Sequence, residues 1–404
     1  MHCRNCKTRI RKSFLKFKDF PLVNNLKNKP SDHEERFDLK IYFCEVCFLV
    51  QANEVVVPKS IFTNQYPYQS STSTKFLSHC EKYSNQIINE YNLNKKSFVI
   101  EVACNDGYML NFFKKKLIPH LGIEPTNTAN IAKNKGINVT KKFFNLTLAK
   151  NLLKKNIQAD CLIGNNVLAH VPDILNFLKG VKVILKKNGV AIFEFPHLLQ
   201  LIKKNLFDTF YHEHYHYFSA ISLSKIVRSS GLKIFKIKKT NIHGGSLRIF
   251  ISHENSIYRV SSTVKKAIDK ELDHKLNSLK TFEIFSKKLI VYKSNVQNVF
   301  KKLKSQKIVG YGAAAKASVL INYLKLSHKN IMHVYDKSKT KHDKYIPGTN
   351  IQIRDTRKLK DDDFDYLIIF PWNLSEEIKN DLKKLTNKKF KVVTLIPDFA
   401  VINF

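Results

Sequence analysis

The stretch Val99-Ile100-Glu101-Val102-Ala103-Cys104-Asn105-Asp106-Gly107-Tyr108-Met109-Leu110 constrains the fold more than any other part of the chain. An apolar run that ends in an acid, a turn of small and polar residues with one glycine, and then a helix-compatible sequence predict a buried strand, a tight turn and a helix start. In an open α/β sheet such turns lie at the carboxyl ends of the strands, where ligands bind and a glycine lets the backbone approach them. His120-Leu121-Gly122-Ile123-Glu124 predicts a second strand that ends in a carboxylate. It follows the turn by about 20 residues, where a doubly wound domain holds a ribose diol. The turn carries one glycine and no G-x-G-x-x-G, which favours S-adenosylmethionine (SAM), a cofactor without phosphates, over NAD or FAD. An ordinary βα turn with a capping Asp accounts for the same residues.

Strand and helix signals then alternate. Residues 127–135 read as a helix, 137–139 and 159–166 as strands, His170-Val171-Pro172-Asp173 as the opening of the next helix, and 185–196 as a helix end, a turn and a strand. This alternation is that of a βαβ domain. Val264, Ile268, Leu272, Leu276, Leu279 and Phe282 have helical spacing and predict a helical connector over 264–303. A second α/β unit starts at Lys307, with Gly310-Tyr311-Gly312 as a turn and Lys316 in the first helical turn, a pattern suited to an anion. Strands at 332–336, 365–370 and 391–396 follow.

Cys3-x-x-Cys6 and Cys44-x-x-Cys47 are two knuckles, each able to give two thiolates to one tetrahedral zinc. A site filled by four protein sulfurs has no open position, so the zinc folds the domain and does not catalyse. A redox pair or free thiols would be the alternative reading. Residues 39–43 and 48–50 read as hairpin arms around the second knuckle, and 58–74 as a polar connector.

The 404 residues, 43% hydrophobic and 25% charged, are enough for two or three cored domains and exclude a disordered chain. The N-terminus lacks the apolar core of a signal peptide and no apolar run is long enough to span a membrane, so a cytoplasmic protein with reduced thiols is expected. A net charge of +36 suits a nucleic-acid partner, but the lysines are spread along the chain with no stripe interleaved with aromatics. Nucleic acid is therefore not expected, and an anionic small substrate can use the same field.

Tyr211-His212-Glu213-His214-Tyr215-His216-Tyr217 is too dense in histidine and tyrosine to be surface filler. Histidine titrates near working pH and a neighbouring carboxylate can fix its tautomer, which suits general acid/base chemistry. If extended, His212, His214 and His216 would share a face and could bind metal; a hydrogen-bonded core cluster is the third reading. Asn241, His243 and Arg248 flank a Gly-Gly turn that could line the same crevice.

Taken in order, these motifs resemble the SAM-dependent C-methyltransferases that act on nucleotide-linked 4-keto deoxysugars. The resemblance runs nearly end to end. It covers the paired knuckles, the connector from Tyr66 to Ser73, residues 101–108 and 165–173, Tyr211-His212-Glu213-His214, His243-Gly244-Gly245-Ser246-Leu247-Arg248, residues 310–316 and Pro371-Trp372-Asn373. Tyr215-His216 departs from the small or apolar pair more usual there. The resemblance implies an α/β chain with a zinc-binding domain (1–72), a class I SAM methyltransferase (Rossmann-like) core (73–255) and a C-terminal Rossmann-like domain with its connector (256–404). It implies that His214 is the base, that Glu213 and Tyr211 orient it or the enolate oxygen, and that Tyr66 or Tyr68 reaches the site. Glu101, Asn105, Asp106, Gly107, Glu124, Asn165 and Asn166 would hold SAM. Asn241, His243, Arg248, Tyr311 and Lys316 would hold a nucleotide-diphosphate 4-keto deoxysugar, with Lys316 facing the diphosphate. No membrane or nucleic-acid partner and a monomer are implied. An RNA or other small-molecule SAM methyltransferase, and a non-catalytic or NAD-dependent nucleotide-sugar-binding protein, are the rival readings; neither accounts for Tyr211-His212-Glu213-His214.

Overall fold

The computed structural model describes residues 1–54, 56–63 and 69–404. Tyr66 and Tyr68 lie outside the described residues. The chain divides into two compact units, each made of separated stretches. Met1–Arg11, Phe43–Leu199 and Tyr215–Ser278 form the first, and Lys12–Tyr42, Gln200–His214 and Leu279–Phe404 the second. This division crosses the linear boundaries 72/73 and 255/256. Lys12–Tyr42 and Gln200–His214 both belong with the C-terminal stretch.

In the second unit β1 (Ser13–Pro21) and β2 (Arg36–Phe43) pair antiparallel, with Leu15 opposite Ile41, Phe17 opposite Leu39 and Phe20 opposite Phe37. Phe14 and Phe17 anchor the hairpin on Phe282 and Tyr323, with ring centroids 5.1 and 5.3 Å apart.

In the first unit β3 (Val50–Ala52) follows the second knuckle. The strands after it are β4 (Val99–Val102), β5 (His120–Ile123), β6 (Val139–Thr140), β7 (Ala159–Asn165), β8 (Leu185–Pro196), β9 (His216–Tyr217), β10 (Leu232–Thr240) and β11 (Ser246–His253). β9 pairs with β3, and the rest form one sheet in the order β10-β11-β8-β7-β4-β5-β6. The members from β8 to β6 are parallel, and β10 and β11 add an antiparallel edge. Strand order reverses at β4, so the Ala103–Gly107 turn lies at the switch point. Residues 185–196 form one strand, where a helix end, turn and strand were expected. A Cβ on Gly189 would lie 2.6 Å from the Ala159 carbonyl, so the strands approach too closely for a side chain. The helix Thr74–Glu90, capped by Ser73, buries Phe76, Cys80, Tyr83 and Ile87 over one face of the sheet.

The second unit's sheet holds β12 (Ile308–Tyr311), β13 (His333–Asp336), β14 (Gln352–Asp355), β15 (Tyr366–Ile369), β16 (Lys391–Thr394) and β17 (Ala400–Asn403), in the order β14-β13-β12-β15-β16-β17. All pairs are parallel except β16 with β17. The helical stretch 264–303 breaks into Ser262–Asp273 and Leu279–Lys302, and the break falls at the border between units. Among the described residues no helix is long and apolar enough to cross a membrane.

Candidate active site

In the first unit the sulfurs of Cys3, Cys6, Cys44 and Cys47 all lie within 4.8 Å of one another, with Cys3 and Cys47 at 3.4 Å and Cys6 and Cys44 at 3.4 Å. Zn–S bonds of about 2.3 Å in a tetrahedron place sulfurs about 3.8 Å apart, so the set fits zinc. Thiol hydrogen bonds from Cys44 and Cys47 hold the Cys3 sulfur well below its usual range, which favours the thiolate a metal needs. Among the described residues this is the one such group of metal-binding side chains.

The cofactor-type loop after β4 bends through positive φ at Ala103 (58°), Asn105 (51°) and Gly107 (77°). Glu124, at the end of β5, accepts from the Asn105 amide at 3.0 Å, the Thr126 amide at 2.9 Å and the Thr126 hydroxyl at 2.7 Å. The carboxylate is thus fixed before any ligand arrives. Asn105 Oδ1 accepts from the Ser70 amide at 2.9 Å, and Asp106 accepts from the Ser71 hydroxyl and from Lys135. Those two side chains therefore tie the end of the connector to the loop. Burial pushes the Glu101 carboxyl well above the usual range, against the pull of the Tyr108 hydroxyl.

At the end of β7, Asn165 Nδ2 donates to the Tyr108 hydroxyl at 3.2 Å, and Asn166 Nδ2 lies 3.2 Å from His243 Nε2. Asn165 Oδ1, Asn166 Oδ1 and Asp106 Oδ1 are buried without a hydrogen-bond partner among the described residues. Acceptors left open around a switch point fit a ligand that brings donors and positive charge, as the ammonium and sulfonium of SAM do.

In the second unit Tyr211-His212-Glu213-His214 forms a turn, closed by the His214 amide on the Tyr211 carbonyl at 3.0 Å. The histidines are therefore not displayed on one face of a strand, and the shared-face metal reading does not hold. His214, 8% exposed, has Nδ1 at 2.8 Å from the Thr209 carbonyl and Nε2 at 2.8 Å from the Tyr211 hydroxyl. Glu213 accepts from Asn24 Nδ2 at 2.5 Å. His212 is buried beside Phe20 and Phe37.

Three family models match successive parts of the chain: a putative zinc-binding domain over residues 3–62, a methyltransferase domain over 76–237 and a C-methyltransferase C-terminal domain over 241–397. Over 406 residues the chain is 26% identical to C-methyltransferase NovU of Streptomyces niveus, a match covering 99% of this chain and 96% of NovU. The chain belongs to the SAM-dependent C-methyltransferases. It combines a class I SAM methyltransferase core with an N-terminal four-cysteine zinc domain and a C-terminal α/β domain. Solved structures similar to this C-methyltransferase include magnesium protoporphyrin IX methyltransferase of Synechocystis (14% identity, 50% of this chain, 100% of that one, TM-score 0.37). The PH0226 protein of Pyrococcus horikoshii is similar over 46% of this chain and 95% of its own, at 12% identity and TM-score 0.38.

The remaining expected residues of the methyltransferase are placed unevenly. Asn241 is exposed ahead of the turn that carries His243. Arg248 is 4% exposed, grips Glu194 at 2.7 and 2.9 Å, and stacks 3.3 Å above the Tyr83 ring. Tyr311 is core, packed with Leu359, Ile378 and Leu382. Lys316 pairs with buried Asp208 at 3.1 Å.

Glu194 and His79, 2.8 Å apart, and Asp208 were not singled out by the sequence. The available signal was an acid inside the apolar run Ile192-Phe193-Glu194-Phe195 and an acid just before the Tyr-His-Glu-His turn. A row of buried polar side chains, Asn165, Glu194 and Arg248, results on adjacent strands, in direct register across β7, β8 and β11.

Proposed function

We propose that this C-methyltransferase methylates the carbon beside the ketone of a nucleotide-linked 4-keto deoxysugar, with His214 as base. The observation that carries the reading is the pair of contacts on the His214 ring. A backbone carbonyl can only accept, so Nδ1 carries a proton, and in the neutral form of the ring Nε2 is the acceptor. The Tyr211 hydroxyl donates to it.

Nε2 takes a proton from the carbon next to the ketone, and the electron pair of that C–H bond becomes the enolate. For this the Tyr211 O–H first turns away from Nε2, whose single lone pair it occupies, to the ketone oxygen, where it stays hydrogen-bonded as that oxygen becomes the enolate. SAM, when bound, supplies an electrophilic methyl group. Glu124, held by Asn105 and Thr126, receives the ribose hydroxyls, and Asn105, Asp106, Gly107, Asn165 and Asn166 line the cofactor. Glu213 fixes the turn through Asn24, and the enzyme works in the cytoplasm as a monomer.

The test is methyl transfer from labelled SAM to a panel of dTDP-, GDP- and CDP-4-keto deoxysugars, with His214→Ala as comparison. Label in a sugar product that is lost in the variant, with SAM binding intact, supports the reading. Transfer to RNA, with no sugar accepting label, overturns it.

A further inference from the structure

The strand order of the second unit's sheet reverses between β12 and β15, the place where open α/β sheets take ligands. Here the chain fills that place itself. Gly312, at φ 88°, leaves no room beside Pro371: a Cβ on it would lie 2.3 Å from Pro371 Cγ. Asp208 is fully buried, and its Oδ2 accepts from Trp372 Nε1 at 2.7 Å and from Lys316 Nζ at 3.1 Å. Lys316 lies in the first turn of the helix after β12 and Trp372 opens the turn after β15, so both segments close on one carboxylate.

The next residue carries the consequence. Thr209 Oγ1 lies 3.4 Å from Lys316 Nζ, and the Thr209 carbonyl takes the proton of His214 Nδ1 at 2.8 Å. Phe207, on the other side of Asp208, packs on Tyr323 and Tyr292 with centroids 4.7 and 5.8 Å apart. The turn is thus pinned on both sides of the acid. Because the carboxylate is buried, its position is set by the ammonium and the indole N–H, and removing its charge leaves Lys316 uncompensated.

We infer that Asp208 is a positioning residue for the reaction: clamped by Lys316 and Trp372, it holds the Thr209 carbonyl that fixes the tautomer of His214. The inference rests on the reading of His214 as the base. Lys316 accordingly serves an internal carboxylate.

Asp208→Asn keeps an acceptor for Trp372 and removes the charge. The side-chain nitrogen shifts of His214 in 15N-histidine-labelled protein, assigned by their loss in His214→Ala, read the tautomer directly. The expected result is a shift from Nδ1–H alone to a mixture, with kcat down roughly tenfold or more and the KM for SAM within about twofold of wild type. An unchanged tautomer with unchanged kcat overturns the inference. If His214→Ala still transfers methyl, the base assignment fails by itself, while the tautomer in Asp208→Asn still decides whether the carboxylate sets the ring. Should Asp208→Asn not fold, Trp372→Phe removes only the indole N–H and is read in the same way, with a smaller change expected.

Discussion

The Tyr211 hydroxyl lies 2.8 Å from Nε2 of His214, and the far nitrogen of that ring lies 2.8 Å from the Thr209 carbonyl. The two residues are therefore linked through one ring, whose Nε2 is the acceptor in its neutral form. Replacing either end should have different costs. His214→Ala removes the proposed base, for an expected loss in kcat of roughly 10²- to 10⁴-fold. Tyr211→Phe leaves the proposed base and removes the donor proposed for the developing oxyanion, for an expected loss of about 10²-fold. Steady-state rates with labelled SAM, alongside calorimetric SAM binding that should not change, check both. A Tyr211→Phe enzyme at wild-type rate would remove the tyrosine from the chemistry.

His212 has the opposite character. Burial beside Phe20 and Phe37 lowers its pKa from 6.5 to about 4, against the pull of the Phe37 and Pro21 carbonyls. The folded protein keeps this ring neutral while the unfolded chain protonates it near 6.5, so the unfolded state binds the extra proton between those values. Stability is then complete above pH 6.5 and falls as pH drops toward 4, by roughly 3 kcal/mol at 1.36 kcal/mol per unit. His212→Leu should flatten this part of the curve. Thermal unfolding of both proteins between pH 4.5 and 7 checks it, and parallel curves would count against the burial argument.

The four cysteine sulfurs lie within 4.8 Å of one another, close enough for one metal ion to hold all four. Wild-type protein should carry one zinc per chain by elemental analysis. Cys44→Ser should lose it and melt at lower temperature, because metal affinity in such sites is folding free energy. Full zinc occupancy in Cys44→Ser would show that the fourth ligand lies elsewhere.

What could be read in the sequence was what is local. The knuckle spacing brings two sulfurs together whatever surrounds them, and the Ala103–Gly107 turn announces itself because few residues tolerate its backbone. Long-range partners were not legible. Lys316 has the setting of an anion site, but its anion is a carboxylate 108 residues earlier in the chain. Arg248 looked like a residue for a substrate, whereas Glu194 stands opposite it in strand register. The three alternate histidines suggested one face only on the assumption of a strand, and the turn at Tyr211–His214 breaks that period. Division into units was hidden for the same reason. Nothing in the composition of Lys12–Tyr42 marks it as belonging with Leu279–Phe404.

The loop after β4, proposed to line the cofactor, separates two demands that its residues place on the chain. Gly107 has φ 77°, and a Cβ there would lie 3.1 Å from Ile137 Cγ1 and 3.2 Å from Ala132 Cβ. Gly107→Ala therefore meets both backbone strain and crowding, an expected cost of roughly 1–3 kcal/mol. Asn105 also has positive φ, at 51°, but glycine would relieve that backbone, and what Asn105→Gly removes is the bond from the Ser70 amide at 2.9 Å. Gly107→Ala should thus lose melting temperature and SAM affinity together. Asn105→Gly should keep most of its melting temperature while SAM binding weakens, since one of the two ties between connector and loop is gone. Thermal melting and SAM titration of the two variants check the distinction. Wild-type values for Gly107→Ala would mean that the loop has room for a side chain and that the glycine is not there for close approach.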